Sequence, residues 1–225
     1  EMGVLLFHRG NRKITLTEQG MLMRKRAEQM LELEHKTKEE MAAGEEAVSG
    51  TIYIGAGETH AFRALARSFH NLIEEYPDVS FSLFSGNAED VMERLDKGLL
   101  DFGLFIEPHD LTRYDYLRLQ AVDTWGVFMR RDCPLAAKHA IEAEDLWSLP
   151  LIMSRQAMEG GQLSSWLRVE TSKLRIVGTY NLLFNAALMV EAGIGYAVTL
   201  DGIINTKGSE LCFRPLEPPL ESGLD

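Results

Sequence analysis

Apolar residues recur along this chain at more than one spacing, and the changes of spacing divide it. Between Val4 and Leu16, two short apolar stretches flank His8-Arg9-Gly10-Asn11-Arg12-Lys13, a pattern that predicts a β-hairpin with a basic tip. From Thr17 to about Val48 the spacing turns helical and no proline interrupts it, with Thr15 and Glu18 three residues apart as a candidate capping box. At 1.5 Å per residue such a helix is roughly 45 Å long. Leu16, Gly20, Met23, Ala27, Met30, Glu34, Thr37, Met41, Gly44 and Val48 alternate by four and three, as a coiled-coil seam does, but Glu34 and Thr37 break the stripe midway. So long and polar a helix has too little apolar face to be buried in one small domain. It is expected to pair with a partner helix, with Met23, Ala27, Met30 and Met41 as the contact positions; a single helix lying on its own domain is the alternative.

After Ser49-Gly50 strand and helix patterns alternate. Residues 51–55 read as a strand, and Phe62, Leu65, Ala66, Phe69, Leu72, Ile73 and Tyr76 form one helix face that ends before Pro77. Val79, Phe81 and Leu83 alternate with Ser80 and Ser82 as a second strand. Ala88, Val91, Met92 and Leu95 mark a short helix stopped by Gly98, and residues 99–106 suit a buried central strand. This is a βαβαβ unit on a parallel sheet. A second series has strands at 126–129, 149–153, 174–180 and 194–200 and helices at 162–170 and 182–192. Pro215, Pro218 and Pro219 are expected to break any further element. The chain thus reads as a hairpin (1–16), a long helix (17–48), one α/β lobe (51–122 with 213–225) and a second (123–212).

Composition fits that picture. With 225 residues, 45% of them hydrophobic and 25% charged, the chain can bury a sizeable core. No apolar run approaches the roughly 20 residues of a membrane helix, and no basic segment leads into an apolar one at the start, so a cytoplasmic location without membrane contact is expected. The net charge of −11 argues against nucleic acid binding over the whole surface, yet Arg9, Arg12, Lys13, Arg24, Lys25 and Arg26 make the amino-terminal part basic. Cys133 and Cys212 have no metal-ligand spacing, so reduced structural cysteines and no metal are expected.

In open parallel sheets ligands bind beyond the carboxyl ends of the strands. That rule selects Gly57, Glu58, Thr59, His60, Ser85, Gly86, Asn87, Ile106 and Glu107 in the first lobe, and Ser154 to Gln156, Tyr180, Asn181 and Thr199 to Gly202 in the second. Most are small, hydroxyl or amide residues that leave backbone N–H groups free for a ligand carboxylate; Glu58 does not suit an anion, and an amine ligand would point to it. Thr59 and Asn87 serve equally well as helix caps and Ser85 as a turn residue. Gly55-Ala56-Gly57 is followed by His60 where a dinucleotide fingerprint needs a third glycine, and no nucleotide, zinc-protease or serine-hydrolase motif is present. No catalytic residue and no cofactor are therefore assigned. Glu58 with His60 is a thin acid–base candidate.

Gly3-Val4-Leu5-Leu6-Phe7-His8-Arg9 followed by Leu16-Thr17-Glu18-Gln19-Gly20 resembles the wing and linker start of LysR-type transcriptional regulators. Thr51-Ile52-Tyr53-Ile54-Gly55, Glu75-Tyr76-Pro77-Asp78-Val79 and Gly98-Leu99-Leu100-Asp101-Phe102-Gly103-Leu104 are similar to the first half of their sensor domain. Cys133-Pro134-Leu135-Ala136 and Val190-Glu191-Ala192-Gly193-Ile194-Gly195 match further on. The resemblance implies a winged helix-turn-helix remnant, a dimerising linker helix and a type II periplasmic-binding-protein-like sensor of α/β class. It implies double-stranded DNA as partner, with Arg9, Arg12 and Lys13 on the phosphate backbone, a homodimer or homotetramer, and a small-molecule effector in the cleft, a carboxylate being a candidate. The helices that read the major groove would precede Glu1, and a few dozen residues would follow Asp225. Two positions depart from the family pattern: Glu58 stands where proline or a small residue is common, and Thr199 where proline is. A solute-binding receptor, or less readily an enzyme, on the same fold is the competing reading; the hairpin and long helix argue against the receptor.

Overall fold

The computed structural model describes residues 3–9, 13–42, 48–159 and 161–225. The hairpin forms as expected: β1 (Phe7–Arg9) pairs antiparallel with β2 (Ile14–Leu16), Phe7 opposite Leu16. Arg12 and the rest of the tip, 10–12, lie outside the described residues.

The long helix α1 (Glu18–Ala42) follows at once, but its cap is not the expected one. Thr15 is held in β2 across from His8, so its neighbour Thr17 takes the role. The Thr17 Oγ1 accepts from the Gly20 N–H at 2.9 Å and donates to the Leu5 carbonyl at 2.7 Å, tying helix start to hairpin. Residues 43–47, with Gly44 of the stripe, fall outside the described residues, and Val48 is not helical.

Lobe one is the βαβαβ unit read from the sequence. β3 (Gly50–Ala56), α2 (Phe62–Glu75), β4 (Val79–Ser85), α3 (Ala88–Asp96) and β5 (Phe102–Leu104) form a parallel sheet of order β4-β3-β5. Ile54 lies between Leu83 and Phe102. The α2 face meets the sheet through Phe69, stacked on Phe81 at 4.2 Å between ring centroids. Asn87 caps α3, its Oδ1 accepting from the Asp90 N–H at 2.8 Å, and Gly98 leaves the helix at φ +69°.

β6 (Leu119–Arg130) joins the lobes and is longer than the strand expected at 126–129. Beyond it come α4 (Ala143–Leu146), β7 (Leu151–Ser154), α5 (Arg155–Glu159), α6 (Gln162–Leu167), β8 (Ile176–Tyr180), α7 (Leu183–Glu191), β9 (Tyr196–Leu200), β10 (Leu211–Pro215) and β11 (Glu221–Leu224). The second-lobe sheet runs β10-β6-β9-β7-β8, while β11 pairs with the first half of β6. Ile141, Leu146, Leu151, Met153 and Leu167 are fully buried in its core. The helix expected over 162–170 stops at Leu167 because Arg168 turns left-handed, at φ 55°. The prolines do not end regular structure: Pro215 closes β10, opposite Gly126, and β11 follows the Pro218-Pro219 pair. Residues 213–215, assigned above to the first lobe, therefore lie in the second-lobe sheet.

The long helix meets lobe one through polar groups. Lys36 is 7% exposed. Its Nζ lies 2.6 Å from Asp101 and 3.1 Å from the Gly98 carbonyl, and 5.2 Å above the Tyr53 ring. Glu32 pairs with Arg94 at 2.9 Å, and the Tyr53 hydroxyl donates to Glu39 at 2.8 Å. Its apolar positions Met23, Met30 and Met41 remain exposed, and Ala27 is half-buried. The helix thus lies on its own lobe by one face while the methionines of its apolar stripe stay uncovered.

Candidate functional site

Strand ends of both lobes converge on a cleft of about 100 Å³. Gly57 and Glu58 enter it after β3, Gly86 and Asn87 after β4, and Ile106 and Glu107 after β5. Ser154 ends β7, Asn181 follows β8 and Thr199 lies near the end of β9, bringing the second lobe to the same space. Thr59, His60 and Ser85 do not line it. The Thr59 hydroxyl is held between the Asp123 carboxylate at 2.5 Å and the Ala61 N–H at 3.0 Å, so it braces the approach to α2. His60 is exposed, its Nδ1 3.4 Å from the Gly202 carbonyl, and Ser85 is exposed at the end of β4. Glu58 and His60 are accordingly not assembled as an acid–base pair.

Several lining residues escaped the sequence reading, among them Pro108, His109, Trp125, Gln162, Leu183 and Ile203. Trp125 sits in the middle of β6, one residue before the strand was expected to start. His109 lies in the segment after β5, where neither periodicity nor a motif singles it out.

The two lobes hold each other's helix starts across the cleft. Glu58, from lobe one, accepts through Oε2 from the N–H of Leu183, the first residue of α7 in lobe two. Gln156, from lobe two, accepts through Oε1 from the N–H of Ala88, the first residue of α3 in lobe one, at 3.4 Å. Both acceptors sit where the unpaired N–H groups and the positive end of the helix dipole favour an oxygen. The Gln156 Nε2 lies 2.7 Å from His109 Nε2. With the amide oriented so that its Oε1 meets the Ala88 N–H, its Nε2 donates to His109, which fits a neutral ring accepting at Nε2. Burial agrees, holding the His109 pKa below the usual histidine range against the opposing pull of Asp225.

The remaining polar groups are also engaged. Ser154 Oγ accepts from the Ala157 N–H at 3.4 Å, and Asn181 Oδ1 from the Leu182 N–H at 3.0 Å. Glu107 pairs with Arg118 outside the cleft. Burial pushes the Tyr180 phenol up, and its hydroxyl donates to the Val198 carbonyl at 2.8 Å. Asp123, 3% exposed, is likewise raised by burial although the Thr59 hydrogen bond opposes this. Among the described residues no Lys or Arg lines the cleft. Among the described residues no group of three His, Cys, Asp or Glu is placed to hold a metal, and no helix is long and apolar enough to cross a membrane.

Comparison with known proteins gives the architecture a family. The model of the LysR substrate binding domain matches residues 45–224. The HTH-type transcriptional activator IlvY of Salmonella typhimurium is 26% identical over 200 residues, covering 88% of this chain and 68% of the relative. Full-length CbnR, solved in complex with its target DNA, has a TM-score of 0.72 at 17% identity and covers 99% of this chain and 77% of its own. The effector-binding domain of QuiR, solved with shikimate, has a TM-score of 0.64 at 16% identity, with 79% and 86% covered. The relatives are named as transcriptional regulators, not as enzymes. Because the family match spans both lobes from residue 45 to residue 224, the chain belongs to the LysR-type transcriptional regulators, and its lobes are their effector-binding domain.

Proposed function

We propose that the cleft receives a small-molecule effector, and that its binding shifts one lobe against the other and so changes oligomer geometry and transcription. The observation that carries this reading is the reciprocal capping of α7 by Glu58 and of α3 by Gln156. A ligand between those groups competes with, or adds to, bonds that exist only in one lobe arrangement. That gives it the differential affinity a conformational shift requires. The shikimate in the QuiR domain supports a ligand in such a domain. The shift is passed on through α1, which Lys36 and Glu32 fasten to lobe one. Its exposed Met23, Met30 and Met41, with Ala27, supply the surface for a second copy in a homodimer or homotetramer. Arg9 and Lys13 on the hairpin, with Arg12 between them in sequence, contact phosphates in a cytoplasmic protein whose structural neighbour CbnR is solved on DNA.

The test is a thermal-shift screen of small metabolites, followed by small-angle scattering of any hit. A ligand at 100 times its Kd is expected to raise stability by about 2.7 kcal/mol and to change the scattering profile. A hit that stabilises the protein without disturbing the Leu183 and Ala88 amide resonances would place the site elsewhere.

A further inference from the structure

We infer that Glu58 sets the charge class of the effector: the cleft selects a small ligand bearing an ammonium group, held against the Glu58 carboxylate, and rejects carboxylates. This rests on the cleft being the effector site. The sequence left two candidates, a carboxylate on free helix amides and an amine at Glu58, but one amide near the start of each of these helices is already taken. The Leu183 N–H at the start of α7 is bound by Glu58, the Ala88 N–H at the start of α3 by Gln156, and the Ala157 N–H in α5 by Ser154. An incoming carboxylate must displace Glu58 or lie beside it as a like charge in a half-buried site, where such repulsion is stronger than in open water.

Among the described residues the lining offers neutral donors such as Asn87 and Asn181 but no cationic Lys or Arg side chain to offset that repulsion. The contact of His109 with the Gln156 amide nitrogen fits a neutral ring. Glu107, the other acidic lining residue, is paired with Arg118. The negative charge of Glu58 is only half met by the helix end it caps, because a helix amino terminus carries about half a positive charge. Its second oxygen, Oε1, has no hydrogen-bond partner among the described residues. A ligand ammonium completes that pairing, while Ile106, Leu163, Leu183 and Ile203 offer apolar contact for a short carbon skeleton. The cleft volume of about 100 Å³ suits a small ligand.

The probes are n-butylammonium, n-butanol and butyrate, which share a four-carbon chain and differ in charge. Each is titrated into the wild-type chain and into Glu58→Gln, which keeps an acceptor for the Leu183 N–H; binding is read from the Leu183 and Ala88 amides and the Trp125 indole by NMR. Wild type is expected to bind butylammonium at least tenfold more tightly than butyrate, and Glu58→Gln to lose that preference. Wild type taking butyrate as well as butylammonium, or the variant keeping the amine preference, overturns the role of Glu58 and leaves the cleft as effector site. If none of the three probes disturbs those resonances in either protein, the cleft reading itself falls and this assignment with it.

Discussion

The Glu58 carboxylate and the Leu183 backbone N–H, on opposite lobes, are hydrogen-bonded across the cleft. Neither is near the other in sequence, and each answers a need of its own element. Glu58 extends from the turn after β3, while α7 begins at Leu183 with Leu182 before it, a residue whose side chain cannot cap. The carboxylate thus supplies in trans the cap that α7 lacks in its own sequence. Gln156 does the same for Ala88 in the other direction.

Removing the Glu58 side chain should therefore weaken the lobe interface. Loss of a helix cap costs about 0.5–2 kcal/mol, and because Glu58 is half-buried rather than buried, Glu58→Ala is expected to cost about 1 kcal/mol. Urea denaturation measures it, and amide exchange at Leu183 should accelerate. Unchanged protection at Leu183 would mean that the bond does not hold the lobes in solution.

His109 gives the closed cleft a pH dependence. Burial lowers its folded pKa, so the unfolded chain takes up a proton on this ring, near pH 6.5, before the folded one does. The stability it confers is then fully present above that pH and is lost as the pH falls from about 6.5 through the folded value. Protonation also puts an N–H against the Gln156 amide donor. Stability measured from pH 8 down to pH 5 should decline less steeply in His109→Asn than in wild type; parallel curves would exclude His109 as the source.

Much of the lobe architecture was legible because it is written locally. Pro77 and Gly98 stop helices where they stand, and the Val79, Phe81, Leu83 alternation has only one extended reading. The strand-end rule likewise brought Glu58, Asn87, Asn181 and Thr199 to one space. What stayed hidden depends on partners distant in sequence. Thr59 looks like a ligand-binding hydroxyl until Asp123 arrives from β6 to occupy it. Gln156 and His109 acquire roles only when the two lobes face each other. The stripe on α1 suggested one packing face, but a buried lysine, which no hydrophobic pattern reveals, makes a second.

That lysine should fasten α1 to lobe one. Breaking a fully buried ion pair costs about 3–5 kcal/mol; with the Asp101 side chain 32% exposed, Lys36→Met is expected to cost about 2 kcal/mol. The methionine keeps the bulk and removes the charge, leaving Asp101 bonded to the Tyr53 N–H. Thermal denaturation reads the loss, and limited proteolysis within α1 should quicken while the second lobe remains resistant. Equal cleavage rates would show that the helix is held by something other than Lys36.

Gly20 makes the sharpest test of how the hairpin is set on α1. A glycine replaced by alanine inside a helix ordinarily stabilises it by about 1 kcal/mol, through backbone entropy. At Gly20 an added Cβ would lie 1.8 Å from the Leu6 carbonyl oxygen and 2.8 Å from its carbon. These are backbone atoms, so no rotamer change relieves the clash. The same carbonyl accepts from the Thr17 N–H at 3.0 Å, and moving it aside breaks the bond that seats the hairpin on the helix start. Overpacking of this kind costs about 1–3 kcal/mol, enough to reverse the usual sign. Gly20→Ala should therefore speed amide exchange at Thr17 and loosen β1 and β2, with exchange in the lobes unchanged. Slower exchange along α1, the ordinary effect of the substitution, would show that hairpin and helix are not in close contact.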